Sequence, residues 1–215
     1  MTGANRGIGL ELVRRLHGRG TKVVAVCRQS SPALDALGVR IESGFDVADA
    51  LAWPALAARF VDDEIALLIH NAGIGRFQGL ADMTPQDVLA QLQVNALAPL
   101  FLTRDLLPRL RRGAKVVLVS SRMGSIADNG SGGHYGYRMS KAALNAAGMS
   151  LARDLRSQGI AVVTLHPGAV RTGMTDGQGD IDAGESAAGL LRRIDELTIE
   201  TTGRFLHANG TVLPW

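Results

Sequence analysis

The chain has 215 residues and a formal net charge of +3 at pH 7, with 46% hydrophobic and 20% charged residues; a chain of this size buries roughly 70% of its unfolded surface in one domain without help from metal or disulfide. Its single cysteine, Cys27, excludes an internal bridge, no apolar run approaches the ~20 residues that cross a bilayer, and no basic-then-apolar leader is present, so the expected setting is the cytoplasm. The sequence pI is near 9.5, but aromatic residues make up only 4%, which leaves few platforms for stacked bases and argues against a nucleic-acid partner.

The first feature in chain order is a glycine turn, TGANRGIGL, with Gly3, Gly7 and Gly9 running straight into a helical pattern over 8–18. Such glycines let backbone approach a pyrophosphate, whose charge rests on the helix N-terminus; Asn5, Arg6 and Ile8 belong to the same turn. A supporting strand normally precedes this turn, and here only Met1 does. The expectation is a sheet lacking its first, central strand, two edges left unpaired, and a protein that extends further upstream.

The next apolar run, KVVAVC at 22–27, ends in Cys27-Arg28-Gln29. An acidic residue here would bind ribose hydroxyls and repel a 2′-phosphate. Arg28, with Arg6 in the glycine turn, instead offers guanidinium groups to a phosphate, which favours NADP(H) over NAD(H). The basic clusters Arg14-Arg15-Arg19-Lys22 and Arg109-Arg111-Arg112 precede Gly20 and Gly113 and read as cations at helix C-termini. The run 39–45 ends in Phe45-Asp46-Val47; Asp46 could face the same ligand or cap the helical pattern at 49–61. The run 65–73 ends in His70-Asn71-Ala72-Gly73, whose small residues allow close approach of a ligand, with His70 read as a hydrogen-bonded buried histidine.

Thr84-Pro85 opens a helical pattern over 85–111 that contains Asn95. The run 115–121 delivers Ser120-Ser121. Tyr137 and Lys141 then stand four apart on a pattern over 137–157 and share a face. A cation near a phenol favours phenolate and lowers its pKa, which suits proton exchange with a carbonyl or alcohol oxygen. The run 160–168 ends in His166-Pro167-Gly168. Residues 173–184, Gly-rich and carrying Met174 and Ile181, read as a mobile substrate lid, before a helix at 184–195 and a last strand at 203–210. Strands rich in Val, Ile and Leu alternating with helices predict a doubly wound, Rossmann-like α/β domain over 1–215 with a mostly parallel sheet. Ligands of such a sheet lie beyond its strands' carboxyl ends.

TGANRGIG, NAG at 71–73, Asn95 in VNALAPL, Ser121, Tyr137 with Lys141, and Pro167-Gly168 followed by Thr172 resemble, in order and over nearly the whole chain, the short-chain dehydrogenase/reductase family. SSRMGSIADNGSGGHYGYRMSKAALN and the ending GRFLHANGTVLPW are similar to its C-factor and Sniffer-type carbonyl reductase branch. The resemblance implies Tyr137 as proton donor, Lys141 as modifier of its pKa and ligand of the nicotinamide ribose, Ser121 as the donor to the substrate oxygen, and Asn95 as holder of a water linking Lys141 to solvent. It lays NADP(H) along Gly3, Asn5, Arg6, Gly7, Ile8, Gly9, Arg28, Asp46, Val47, Asn71, Ala72, Gly73, Pro167, Gly168, Val170 and Thr172. It places Met123, His134 and Met174 in the substrate pocket, with Arg76, Phe77 and Tyr135 on its wall, and calls for no metal. The implied activity is hydride transfer between nicotinamide and a carbonyl or secondary alcohol; the alternative is a non-catalytic dinucleotide-binding regulator or signalling protein. Helices 85–111 and 137–157 resemble those through which family members form dimers and tetramers.

Overall fold

Six strands alternate with helices in the computed structural model, which describes residues 1–215. Helix α1 (Gly7–Gly18) leads to β1 (Val24–Val26), α2 (Pro32–Asp35), β2 (Arg40–Glu42), α3 (Ala52–Ala58) and β3 (Ile65–His70). There follow α4 (Pro85–Leu92), a π turn at Gln93–Leu97, α5 (Ala98–Leu106), β4 (Leu110–Val119), α6 (Tyr135–Asp154), β5 (Ala161–His166), α7 (Ala183–Glu196) and β6 (Arg204–His207). Every strand pairing is parallel. Strands β1 and β2 form one pair and β3-β4-β5-β6 the other set, and Thr2 bridges Val26 on one side and His70 on the other.

The expected gap at the centre of the sheet is thus spanned by two residues. The Val26 amide donates to the Met1 carbonyl at 2.8 Å, and the Thr2 amide to the Ile69 carbonyl at 3.0 Å. The two faces of the sheet follow the period-2 alternation of the strands. Val117 and Val119 of β4 join Leu12, Leu16, Leu190 and Ile194 of α1 and α7. Val116 and Leu118 join Trp53, Leu102 and Leu144 from α3, α5 and α6. Helices therefore cover both faces, and the strands' carboxyl ends are left as the open edge. Lys115 closes the far end of α7, donating to the carbonyls of Ile194 at 2.6 Å and Asp195 at 3.1 Å.

The predicted helix 85–111 is not one helix. Thr84 caps it as expected, accepting from the Asp87 amide at 3.2 Å, but it passes through the π turn and ends before Leu110. Pro108 lacks the amide needed to continue an α-helix. Arg111 and Arg112 consequently lie in β4, and Gly113 (φ 82°) is not a helix cap. It sits where the β3–β4 register is irregular, and its amide bonds the Gly159 carbonyl at 3.0 Å. Helix α2, capped by Ser31 with Pro32 in its first turn, is too short to show a helical period. The predicted lid also contracts. Asp182 caps α7, while the Arg171 amide bonds Ile181 at 2.9 Å and the Asp180 amide bonds Ala169 at 2.8 Å; residues 172–179 remain as a turn closed by the Gly177 amide on the Thr172 carbonyl at 2.9 Å. No helix is long and apolar enough to cross a membrane.

Candidate active site

At one end of the open edge, α1 begins after Arg6 with no side chain capping its first amides and no acidic residue in its first turn. Those amides are free to meet a phosphate. The glycine turn before it is packed too tightly for side chains: a Cβ on Gly3 (φ 66°) would stand 2.7 Å from the Ala72 Cα, and one on Gly9 would enter the Gly3 carbonyl. Thr2 and Asn71 knit the turn to the end of β3. The Thr2 hydroxyl accepts from the amides of Asn71 and Ala72, both at 3.2 Å, and Asn71 Nδ2 donates to the Gly3 carbonyl at 2.8 Å. Thr2 was not singled out from the sequence. Asn5 Nδ2 donates to the Gln29 carbonyl at 2.9 Å, so its side chain holds the turn to β1. Arg28 is 63% exposed, 3.8 Å from Asp46. Asp46 does not cap α3; it accepts from the Ala48 amide at 2.9 Å and closes a turn in the loop between β2 and α3. Val47 packs on the core beneath, and Thr172 brings its methyl to 3.6 Å from the place of a Cβ on Gly7.

Further along the edge, α6 carries Tyr137 and Lys141 one turn apart, both buried. The Lys141 ammonium lies 5.8 Å from the Tyr137 ring centroid and donates to the Val119 carbonyl at 3.0 Å. The Ser121 hydroxyl accepts from the Met123 amide at 3.2 Å and stands near enough to the Tyr137 phenol to lower its pKa, whereas Ser120 turns away to Asn145 at 2.7 Å. Gly124 lets the chain after β4 rest directly on α6, since a Cβ there would lie 2.7 Å from the Lys141 carbonyl carbon. Burial pushes the Tyr137 phenol above its ordinary pKa, with the Ser121 hydroxyl opposing, and lowers Lys141 to about 8. Desolvation disfavours the charged phenolate, and the Ser121 hydroxyl is the group that opposes it. Asn95 stands in the π turn, a distortion frequent at functional sites. Its Oδ1 accepts from the Ile74 amide at 2.9 Å, and its Nδ2 donates to the Ile74 carbonyl at 2.8 Å and to Ser140 at 2.9 Å. His70 takes no part: its Nε2 meets the Thr103 hydroxyl at 2.9 Å, and burial lowers its pKa to about 3.

On the outer side of Tyr137, Phe77 stands edge-on at 5.1 Å between centroids, and His134 packs on Phe77 at 5.5 Å. Met174 closes over the backbone at Gly73 and Gly75, and Tyr135 lies at the rim. Gly132, Gly133 and His134 are three successive left-handed residues with φ of 65°, 66° and 53°. Arg138 holds them, donating to the carbonyls of Gly132 at 3.3 Å and Gly133 at 3.2 Å, to Ser131 at 2.8 Å and to the Met123 carbonyl at 3.3 Å. Pro167, Gly168 and Val170 pass on the other side, the Pro167 carbonyl accepting from Ser186 at 2.8 Å and Val170 bridging Ile181.

The family described as short chain dehydrogenase matches residues 1–181. Over 221 aligned residues, covering 100% of this chain and 98% of the relative, the chain is 41% identical to 1-hydroxy-2-glutathionyl-2-methyl-3-butene dehydrogenase of Rhodococcus sp. (strain AD45). The fold superposes on the carbonyl reductase Sniffer of D. melanogaster with a TM-score of 0.91 at 32% identity. It superposes on an NADPH-bound carbonyl reductase from chicken fatty liver with a TM-score of 0.89, also at 32% identity. Each of these alignments covers 100% of this chain and 97% of the solved one.

Proposed function

Because the chain belongs to the short-chain dehydrogenase family, we propose that it is an NADP(H)-dependent oxidoreductase interconverting a carbonyl compound and its secondary alcohol, with Tyr137 giving or taking the proton. The observation that carries this reading is the cluster of Ser121, Tyr137 and Lys141 at the open edge of the sheet, beside a glycine turn whose helix amides are uncapped. When bound, the nicotinamide supplies or accepts the hydride.

The chain's own residues do the rest. The first-turn amides of α1 receive the pyrophosphate, and Arg6 with Arg28 receives a 2′-phosphate, which is why NADP(H) is preferred to NAD(H). Lys141 has one carbonyl acceptor and donors left for ribose hydroxyls. As charge develops on the substrate oxygen, Ser121 donates a hydrogen bond to it and Tyr137 its phenolic proton. The bond from Asn95 to Ile74 keeps the segment after β3 in place around this site. Phe77, His134 and Met174 form the apolar wall where the substrate lies. The relatives that act on alcohols or carbonyls, by their names, support the reading. Exposed Leu89, Leu97 and Met139 on α4, the π turn and α6 suit a homodimer or homotetramer formed through these helices, working in the cytoplasm.

Thermal-shift titration with NADP⁺ and NAD⁺ tests the cofactor. Ligand at ~100 times its dissociation constant adds about 2.7 kcal/mol, roughly 5–10 °C for a domain of this size. NADP⁺ should give that shift and NAD⁺ much less. Tyr137→Phe should keep the shift and lose carbonyl reduction by about 10²–10⁴-fold. A protein stabilised by neither dinucleotide, or a phenylalanine variant as active as the parent, would refute the reading.

A further inference from the structure

Between β3 and α4, residues 71–84 contain neither helix nor strand, yet Phe77 in the middle of that segment is held from both sides. Its neighbours Arg76 and Gln78 both reach Asp87 on α4, Arg76 through an ion pair and Gln78 through a 2.8 Å hydrogen bond from Nε2. One turn along the same face of α4, Gln91 Oε1 accepts from the Arg76 backbone amide at 2.9 Å. Gln91 is fully buried, and its Nε2 donates to the Asp87 carbonyl at 3.2 Å. That nitrogen also occupies the place a Cβ on Gly136 would take, and Gly136 directly precedes Tyr137. A single amide side chain therefore spaces the arm carrying Phe77 from the helix carrying the phenol.

The result is the edge-on contact of Phe77 with Tyr137. Tyr137 is left 8% exposed while Phe77 is 42% exposed. Phe77 covers the reactive side chain with one edge and meets solvent with the other, so its ring can move without opening the core. A buried glutamine between two helices is a poor choice for packing alone, since its amide must be satisfied. Here both ends of that amide are used, one of them on the arm.

We propose that Phe77 is the specificity-determining gate in front of Tyr137 and that Gln91 is the positioning residue that sets it, an inference resting on the reductase reading above. Substrates whose substituent packs flat against Phe77, His134 and Met174 then gain over those that leave the ring uncovered.

The test compares NADPH-dependent reduction of 1-phenyl-1,2-propanedione and 2,3-butanedione, which differ in a phenyl against a methyl group. Phe77→Ala should lower the phenyl-over-methyl ratio of kcat/KM at least tenfold without changing the dissociation constant of NADPH. Gln91→Met should lower it severalfold and add nothing in the Phe77→Ala background. Gly136→Ala, which displaces the Gln91 amide, should copy Gln91→Met. An unchanged ratio in Phe77→Ala, or independent and additive effects of the two substitutions, overturns the proposal. A readout free of turnover is NMR titration of tyrosine labelled at Cζ. The chain has two tyrosines, and Tyr135→Phe identifies Tyr137. Uncovering the phenol should move its titration to lower pH in both the Phe77 and Gln91 variants. If the parent reduces neither diketone but that shift is seen, the positioning stands and the reductase reading falls; if the titration does not move, the gate falls.

Discussion

Lys141 keeps its ammonium on the inner side of α6 with the Val119 carbonyl as acceptor, and burial lowers its pKa from 10.5 to about 8. The folded protein thus holds this proton less tightly than the unfolded chain. Between about pH 8 and 10.5 the unfolded state binds more protons, so stability rises with pH across that window. Below pH 8 the full penalty is present, on the order of 3 kcal/mol at 1.36 kcal/mol per pKa unit. Lys141→Met should therefore melt above the parent at pH 7 when no cofactor is present, and the difference should shrink as pH rises towards 10. Calorimetry at pH 7 and 9.5 checks both signs; a variant less stable than the parent at pH 7 would contradict the argument. At this scale the sequence is readable where chemistry restricts residue type. Ser121 is separated from Ser120 only by the family resemblance, whereas Tyr137 and Lys141 stand out by type and spacing. The direction of the Tyr137 shift does not, because it depends on burial depth. Nor does Gln91, whose meaning lies in Gly136 on another helix.

The turn that launches α6 shows how elements place side chains. Non-glycine residues in the left-handed region pay roughly 1–2 kcal/mol, least where the side chain is short and polar. His134 accepts that conformation after two glycines that adopt it freely; the Arg138 guanidinium bonds the Gly132 and Gly133 carbonyls, and the Arg138 backbone amide the His134 carbonyl at 2.9 Å. His134→Gly should accordingly be more stable than His134→Val by about 1–2 kcal/mol, several degrees in Tm for a chain of this size, with thermal melts of the two variants as the check. Equal melting points would show that the turn carries no strain. Elements were legible where periodicity runs unbroken, as in α1, α6 and α7. The stretch 85–111 was not, because a π turn leaves the apolar pattern almost intact. The pattern also runs through Pro108 into Leu110, where strand and helix demand the same apolar residue.

For the whole molecule, alternation of apolar runs with helical patterns was sufficient to give the doubly wound fold, and the carboxyl ends of the strands did collect the chemistry-bearing residues. What sequence did not show is how the two parts of the sheet meet. Between β1 and β3 the backbone hydrogen bonds pass through Met1 and Thr2, whereas β3, β4 and β5 pair along most of their length. Strands β1 and β2 have three residues each against ten and six in β4 and β5. Cooperative units of lower stability open first, so amides of β1 and β2 should exchange with deuterium well ahead of those in β4 and β5. NADP⁺ should slow the former more than the latter. Uniform exchange across all six strands would contradict this order.

That seam has a consequence for how a dinucleotide is held. Arg28 belongs to the β1–β2 side, and Lys141 and Thr172 to the other, so on the proposed reading one ligand molecule straddles the junction. Whichever end engages first limits the motion of the two parts and raises the effective concentration of the second end. The entropy lost in ordering the junction is met once, by the first contact, and the second binds to a protein already ordered. Affinity for the intact dinucleotide should then exceed what its two halves would give separately, with the covalent pyrophosphate acting as a tie across the sheet.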